Sequence, residues 1–327
     1  MDRTVGTPGG RSLDPDAARE RLVGCYVTIP TMFRDGDLEV DLPAIRRHVG
    51  FLIDGGITTG NGVLLACGAA GDFTTLTFDE RLRVTDTVVQ EAAGRVPVVM
   101  GAQTTSTREL VEFARAAEGM GAEYIQTSPP FYFEHTEDDF FEYIVAATDS
   151  AEIGVIVYNT HWTSYGLSLG LIERLAEIPK VVGLKWSTPD NGFMEFEKVV
   201  SRYSHQFSII DNQLRFAISH MLGARAIEVH VCNYWPQWGV RLWDLLQNSA
   251  YVEAQQELMR VALPFMELWE EILEFTGGDG YLDKLCMEVV GLGSSRCRPP
   301  TRDVRGRFLE PVKDMLSRTG VPGLLLT

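Results

Sequence analysis

Short apolar runs alternate with amphipathic segments through most of the chain. The apolar runs are rich in Val and Ile and predict buried strands at 22–29, 62–67, 96–102, 123–128, 154–159, 181–186, 207–211 and 226–231. Segments with helical periodicity lie between them, at 41–54, 78–93, 107–120, 137–149, 168–177, 192–203 and 212–222. Eight strands with intervening helices indicate an α/β protein that folds as a (β/α)8 TIM barrel.

The same pattern divides the chain into three parts. Residues 1–22 are rich in Gly, Pro, Arg and Asp and are expected to form a flexible N-terminal leader. The barrel is expected over 23–234, and 235–327 is predicted to form a C-terminal helical region of three helices. A doubly wound sheet is the alternative, but it requires a phosphate-binding glycine loop after the first strand, and TIPTMFRDG at 28–36 is not one.

Composition argues against several kinds of partner. The formal net charge is −16, whereas binding to nucleic acid depends on Lys and Arg, so no nucleic-acid partner is expected. No apolar run approaches the roughly 18 residues of a membrane span, and residues 1–22 lack the apolar core of a signal peptide, so no membrane partner and a cytoplasmic location are expected. Five scattered cysteines predict reduced thiols, and six histidines without compact ligand spacing predict no metal site.

Lys185 stands in VVGLKWS, at the end of the sixth predicted strand. Burial of its ammonium group costs several kcal/mol unless the charge is paired or the proton is lost. A lysine that faces an apolar barrel interior is expected to have a lowered pKa, and its free amine can form a Schiff base with a carbonyl. The alternative is a side chain that points outward and reaches solvent. Trp186 is expected to point the opposite way from Lys185 and to pack against helices.

Other candidate residues follow predicted strand ends, where a barrel builds its active site. Tyr158 ends the fifth strand and could transfer protons for a Schiff-base reaction, and Tyr132 follows the fourth strand. Either tyrosine could instead only fill space in the core. The remaining candidates for substrate binding are Gly68, Ala69, Ala70, Gly71, Asp72, Phe131, His161, Trp162 and Asn233.

Seven motifs, in this order, resemble the pyruvate-dependent class I aldolases and lyases typified by dihydrodipicolinate synthase and N-acetylneuraminate lyase. The motifs are PTMFRDG, GAAGDFTTLTFDER, GRVPVVMGA, SPPFY, VIVYN, VVGLKWST and CRPP, and they extend over about 23–303. The resemblance implies that Lys185 forms an imine with pyruvate or another 2-oxo acid, and that Tyr158 is the acid/base. It also implies that Tyr132 reaches a neighbouring subunit of a homodimer or homotetramer. No cofactor is implied, because the imine nitrogen is the electron sink.

Two departures from the family pattern concern the second substrate. Ala69 and Ala70 replace two threonines common in the family, so the hydroxyl that completes the usual tyrosine relay is absent. Thr163 stands where the synthases carry an arginine for a substrate carboxylate. The sequence is therefore more similar to the hydratase-aldolase branch, which implies a bulky or aromatic aldehyde. Four aromatic residues are expected to line a wide apolar pocket: Phe73, Phe131, Trp162 and Trp235.

Two other functions stay open on the sequence alone. A dehydratase acting on 2-oxo sugar acids would use the same lysine imine and the same acid/base pair. A catalytically silent barrel with a binding or regulatory role would account for the missing threonines, although the presence of Lys185 with Tyr158 argues against it.

Overall fold

The computed structural model describes residues 12–189 and 194–325. Within them, eight parallel strands pair in chain order, and the last strand pairs with the first to close a barrel. The strands are β1 (Gly24–Thr28), β2 (Gly62–Ala66), β3 (Val98–Gly101), β4 (Tyr124–Thr127), β5 (Gly154–Tyr158), β6 (Val181–Trp186), β7 (Ser208–Asp211) and β8 (Ala226–Glu228). The predicted (β/α)8 TIM barrel with a C-terminal helical region is confirmed.

In the described part of the chain, one helix precedes the first strand, eight follow the strands in turn, and three more follow at the end of the chain. They are α1 (Pro15–Arg21), α2 (Leu42–Asp54), α3 (Phe78–Ala92), α4 (Thr107–Met120), α5 (Glu137–Ser150), α6 (Leu169–Leu175), α7 (Glu195–Tyr203), α8 (Phe216–Met221), α9 (Pro236–Gln247), α10 (Tyr251–Phe275), α11 (Tyr281–Val289) and α12 (Arg305–Thr319). Thr77 and Glu80 form a capping box at the start of α3, and Gly121 ends α4 with a φ of 88°. The predicted start of α7 at 192 lies outside the described residues.

The prediction of a flexible leader over 1–22 is wrong from residue 15 onward. Helix α1 begins there, capped by the Asp14 side chain, and it packs against β6. Ala18 and Leu22 are buried in the cluster that fills the barrel interior, and the Tyr124 hydroxyl donates to the Ala18 carbonyl at 2.7 Å. A helix of this length is stable only through such tertiary packing, so its local sequence gives a weak signal. Residues 1–11 of the predicted leader lie outside the described residues.

The described part of the C-terminal region contains four helices, α9 to α12, where the sequence predicts three. Helix α9 packs against β1 and buries Trp238, Leu242 and Leu246 in the outer core. It therefore takes the place of the eighth barrel helix, and the barrel extends beyond the predicted boundary at 234. Helices α10, α11 and α12 pack against one another beyond the barrel.

A β-bulge in β6 determines which side chains of this strand face inward. The pairing with β5 shifts by one residue at Val182, which is buried in the barrel interior. Leu184 and Trp186 lie in the outer core against the helices, as expected for Trp186. Lys185 consequently points into the barrel. Strict alternation from Val182 would turn Lys185 outward, so the extra residue is what aims its amine at the interior.

Candidate active site

The Lys185 amine lies inside the barrel, near the carboxyl ends of the strands. Its side chain is 4% exposed, and Nζ lies 2.6 Å from a carboxylate oxygen of Glu228. The same nitrogen is 4.4 Å from the centre of the Tyr158 ring and 5.5 Å from that of Tyr26. This placement excludes the outward-pointing alternative. The expectation of an apolar environment is wrong, because the buried charge is paired.

Glu228, which ends β8, is not among the residues predicted from the sequence. Its second carboxylate oxygen accepts a hydrogen bond from the Thr28 hydroxyl at 3.0 Å. Burial opposes ionisation, but the positive charges of Lys185 and His230 hold the pKa of the Glu228 carboxyl below its ordinary value. A glutamate within the apolar run AIEVHV is as anomalous as a lysine within VVGLKW. The sequence therefore contains a signal for this ion pair.

Tyr158 ends β5, and its backbone pairs directly with that of Lys185. The phenol oxygen accepts a hydrogen bond from the Asn212 side-chain amide at 2.9 Å. Burial, together with the negative charges of Glu228 and Asp279, raises the pKa of the Tyr158 hydroxyl well above its ordinary value. Tyr158 is therefore a neutral phenol that can donate a proton.

A histidine–aspartate pair adds a second charged group to the same end of the barrel. His230 follows β8, and its Nδ1 lies 3.0 and 3.2 Å from the two carboxylate oxygens of Asp283. The Asn233 amide donates to Asp283 at 2.9 Å and holds that carboxylate in place. Burial lowers the pKa of His230, but the charges of Asp283, Glu228 and Asp279 outweigh this and raise it to about 10. The ring is therefore protonated at neutral pH.

These groups surround a cavity of about 530 Å³ at the carboxyl ends of the strands. Six of the residues predicted for the site line it: Ala69, Ala70, Tyr158, His161, Trp162 and Lys185. A further set was not expected from the sequence: Asn212, Glu228, His230, Phe265, Met266, Trp269 and Asp279. Three of these, Phe265, Met266 and Trp269, belong to α10. The spacing of apolar residues along this helix does not distinguish those that face the cavity from those that pack in the core.

Five residues predicted to bind substrate lie outside the cavity lining: Gly68, Gly71, Asp72, Asn233 and Phe131. Gly68 and Gly71 form a tight turn, in which a Cβ on Gly71 would come within 2.8 Å of the Gly68 nitrogen. Asp72 is buried in an ion pair with Lys284, with 2.6 Å between the charged atoms. Asn233 is fully buried, and its amide donates to the Thr28 carbonyl at 3.0 Å as well as to Asp283.

The aromatic residues predicted after strand ends are only partly in the cavity. Trp162 lines it, with its ring 5.7 Å from that of Tyr158. Phe73 and Phe131 instead contact each other edge to face, with ring centres 6.2 Å apart. Trp235 packs beside Trp238 of α9. The apolar side of the cavity therefore comes mainly from α10, and the prediction that Phe73, Phe131 and Trp235 line the pocket is wrong.

Tyr132 is also outside the cavity lining in this chain. It is 87% exposed and has a φ of 90°, and its ring contacts that of the neighbouring Phe133. A positive φ is rare for a bulky residue and requires support from its surroundings. The proposed contribution of Tyr132 to a neighbouring subunit stays a prediction.

The structure is a TIM barrel that encloses a lysine amine beside a tyrosine at the carboxyl ends of its strands. This arrangement is typical of class I aldolases, which are lyases that act through a lysine Schiff base. The sequence profile of the Dihydrodipicolinate synthetase family matches residues 22–319, and the chain belongs to this family. Like its relatives, the protein is a carbon–carbon lyase of the Schiff-base class.

Named relatives agree with this assignment, and a solved structure has a similar fold. The 4-hydroxy-tetrahydrodipicolinate synthase of Methanospirillum hungatei is 26% identical over 90% of this chain and 98% of its own length. That of Methanopyrus kandleri is 28% identical over 91% and 95% of the two chains. The fold is similar to that of the Acinetobacter baumannii dihydrodipicolinate synthase complexed with pyruvate, with a TM-score of 0.81, 23% identity, and coverage of 92% of this chain and 99% of that one.

Within the described residues, no helix is both long enough and apolar enough to cross a bilayer. Within the same residues, no group of three or more His, Cys, Asp or Glu side chains is placed to hold a metal ion. A reaction without metal stays a prediction.

Proposed function

We propose that the protein is a pyruvate-dependent aldolase that makes or cleaves a carbon–carbon bond between pyruvate and a bulky or aromatic aldehyde. The observation that carries this proposal is the Lys185 amine enclosed beside the Tyr158 phenol in a cavity of about 530 Å³. Pyruvate as the 2-oxo acid is supported by the pyruvate complex of the A. baumannii synthase. A silent barrel would have no need to hold a lysine and a tyrosine together in a cavity.

In the proposed reaction, the Lys185 nitrogen attacks the keto carbon of pyruvate, and loss of water gives a protonated imine. Removal of a proton from the methyl carbon produces an enamine, whose carbon attacks the aldehyde. Tyr158 donates its proton to the developing alkoxide, because it is a neutral phenol. Cleavage follows the same steps in reverse.

The choice of aldehyde follows from the aromatic residues of the cavity. Trp162, Phe265 and Trp269 line it, and each buried contact of this kind contributes roughly 1–3 kcal/mol. Thr163 supplies no positive charge for a carboxylate, and its hydroxyl donates to the Thr160 carbonyl at 3.0 Å. The charge of His230 is already paired with Asp283. These features favour an aromatic acceptor over a sugar or a small anionic aldehyde.

Some polar groups that line the cavity already form hydrogen bonds within the protein. The Thr188 backbone N–H donates to the Gln213 side chain at 3.1 Å, and the Gln213 amide donates back to the Thr188 carbonyl at 2.9 Å. A polyhydroxylated acceptor would have to compete with these bonds, which lowers its net gain on binding.

A panel of aldehydes tests the acceptor. With pyruvate as donor, we expect kcat/KM for benzaldehyde-type acceptors to exceed that for aspartate semialdehyde, N-acetylmannosamine and glyceraldehyde by about tenfold or more. Trp269→Ala should lower kcat/KM for the aromatic acceptors by about tenfold, since one aromatic contact is lost, and should change that for glyceraldehyde little. A sugar or the semialdehyde preferred by tenfold would contradict the proposal.

We also propose that the protein is a homodimer or homotetramer in the cytoplasm. Tyr132 and Phe133 are 87% and 68% exposed, and two adjacent exposed aromatic rings favour a protein partner. Light scattering at working concentration should give a mass of at least two chains, and Tyr132→Ala together with Phe133→Ala should shift it towards one. An active monomer of the unaltered protein would refute this proposal.

A further inference from the structure

The nearest ionisable group to the Lys185 nitrogen is Glu228. Its carboxylate oxygen lies 2.6 Å from Nζ, whereas the centre of the Tyr158 ring lies 4.4 Å away. Both members of the ion pair are buried, with 3% and 8% of their surfaces exposed, and both line the cavity. Glu228 therefore touches the reacting atom directly.

The protonation states of the two candidate groups differ. Lys185 is paired with a carboxylate, and its ammonium must lose a proton before the nitrogen can attack a carbonyl. Tyr158 already carries its proton and already accepts a hydrogen bond from Asn212, so it is placed to donate and cannot accept a proton first. The Glu228 carboxylate can accept a proton and is in direct contact with the Lys185 nitrogen.

The two threonine hydroxyls common in the family are missing from this cavity. Ala69 and Ala70 line it with methyl groups instead. Thr28 holds one carboxylate oxygen of Glu228 by a hydrogen bond at 3.0 Å, which leaves the other directed at Lys185. The ring of His230, held by Asp283, stacks on Phe265 and adds positive charge nearby.

We propose, on the basis of the function proposed above, that Glu228 is the catalytic base and acid of the imine steps, and that Tyr158 serves only as the proton donor to the aldehyde oxygen. Thr28 is a positioning residue for Glu228, and the positive charge of His230 lowers the pKa of the Glu228 carboxyl. The role extends to the methyl carbon of pyruvate, because in the imine this carbon lies only two bonds from the Lys185 nitrogen that Glu228 already contacts.

The proton transfers balance through the cycle. Glu228 takes one proton from the Lys185 ammonium, and the amine adds to the keto carbon of pyruvate. A second nitrogen proton moves to the carbinolamine oxygen, and the carboxyl of Glu228 returns its proton to that hydroxyl, which leaves as water. The product is the protonated imine beside a carboxylate. That carboxylate then takes a proton from the methyl carbon to form the enamine, and returns it after the carbon–carbon bond forms, through Tyr158 to the alkoxide.

Exchange of the pyruvate methyl protons in D2O tests this inference without any aldehyde. The unaltered protein should remove the methyl signal from the proton NMR spectrum at a catalysed rate. Glu228→Gln should lower that rate by about 10²- to 10⁴-fold, the usual contribution of a general base. Tyr158→Phe should keep it within about tenfold, while lowering the rate of aldol formation by about 10²-fold or more. Equal exchange rates in Glu228→Gln and the unaltered protein would overturn the inference.

Borohydride trapping separates this inference from the proposed function. Glu228→Gln should slow the trapping of pyruvate on Lys185 without abolishing it, because the nucleophile is still present while the proton transfers of imine formation lose their base. Failure of the unaltered protein to trap pyruvate would refute the proposed function itself. Glu228→Ala with added formate addresses folding, because restoration of exchange by formate, at least tenfold over the same variant without it, requires a folded site that lacks only a carboxylate. Absence of rescue in a variant whose circular dichroism matches that of the unaltered protein would contradict the role.

Discussion

Borohydride reduction in the presence of pyruvate is expected to attach a reduced pyruvyl group to Lys185 and to abolish activity. The amine is held inside the barrel, 2.6 Å from Glu228, where a bound carbonyl can meet it and bulk water is largely excluded. Peptide mass mapping after digestion should find the added mass on the peptide that contains residue 185. An adduct on another lysine would contradict the Schiff-base mechanism.

The matched variant for this prediction is Lys185→Arg. A guanidinium group keeps a positive charge beside Glu228, so the buried pair survives, but it cannot form an imine. We expect kcat to fall by at least about a thousandfold, since the covalent route is lost entirely. Lys180→Arg is the control. Lys180 forms a partly exposed ion pair with Glu152 at 2.7 Å, and no pyruvyl group should be found at residue 180 in the unaltered protein or in this variant.

The same experiment distinguishes the two alternative functions. A silent barrel would give no adduct while remaining folded. A dehydratase would give the adduct but would release water from a 2-oxo sugar acid without requiring an aldehyde, so product analysis with each substrate class separates it from an aldolase.

Lys284→Met is expected to be the most destabilising of the lysine replacements. The Lys284 side chain is fully buried, its ammonium lies 2.6 Å from Asp72, and it stands 4.6 Å from the centre of the Phe33 ring. Burial raises the pKa of Asp72, and the charge of Lys284 counteracts this. Removal of the lysine leaves an uncompensated carboxylate, which costs about 3–5 kcal/mol of unfolding free energy. Urea denaturation at pH 7 measures it.

Two further variants complete this test. Lys313→Met breaks an exposed pair with Glu310, whose side chain is 78% exposed, and should cost less than about 1 kcal/mol. Adding Asp72→Asn to Lys284→Met removes the orphaned charge and should restore much of the loss. Asparagine suits the site because residue 72 has a φ of 59°, which asparagine tolerates. If Lys284→Met lowers the unfolding free energy by less than about 1 kcal/mol, the Lys284–Asp72 pair must be accessible to water, which would contradict this prediction.

Much of the barrel could be predicted because each strand and helix carries its own local signal. The capping box of Thr77 and Glu80 and the glycine that ends α4 are encoded within a few neighbouring residues. The two parts predicted incorrectly lack such a signal. Helix α1 is too short to be stable alone, and the boundary at 234 misses α9 because a barrel helix and an appended helix have the same amphipathic pattern.

Residue type and spacing were enough to predict the (β/α)8 order, the placement of Lys185 and Tyr158 at strand ends, and the lack of hydroxyls at Ala69 and Ala70. The direction of the Lys185 side chain depends on the folded barrel, because one extra residue at Val182 reverses the alternation of β6. The pairing of Lys185 with Glu228, far away in the chain, depends on it as well. Closure of a barrel brings distant strand ends within hydrogen-bond distance, and no local pattern encodes which of them meet.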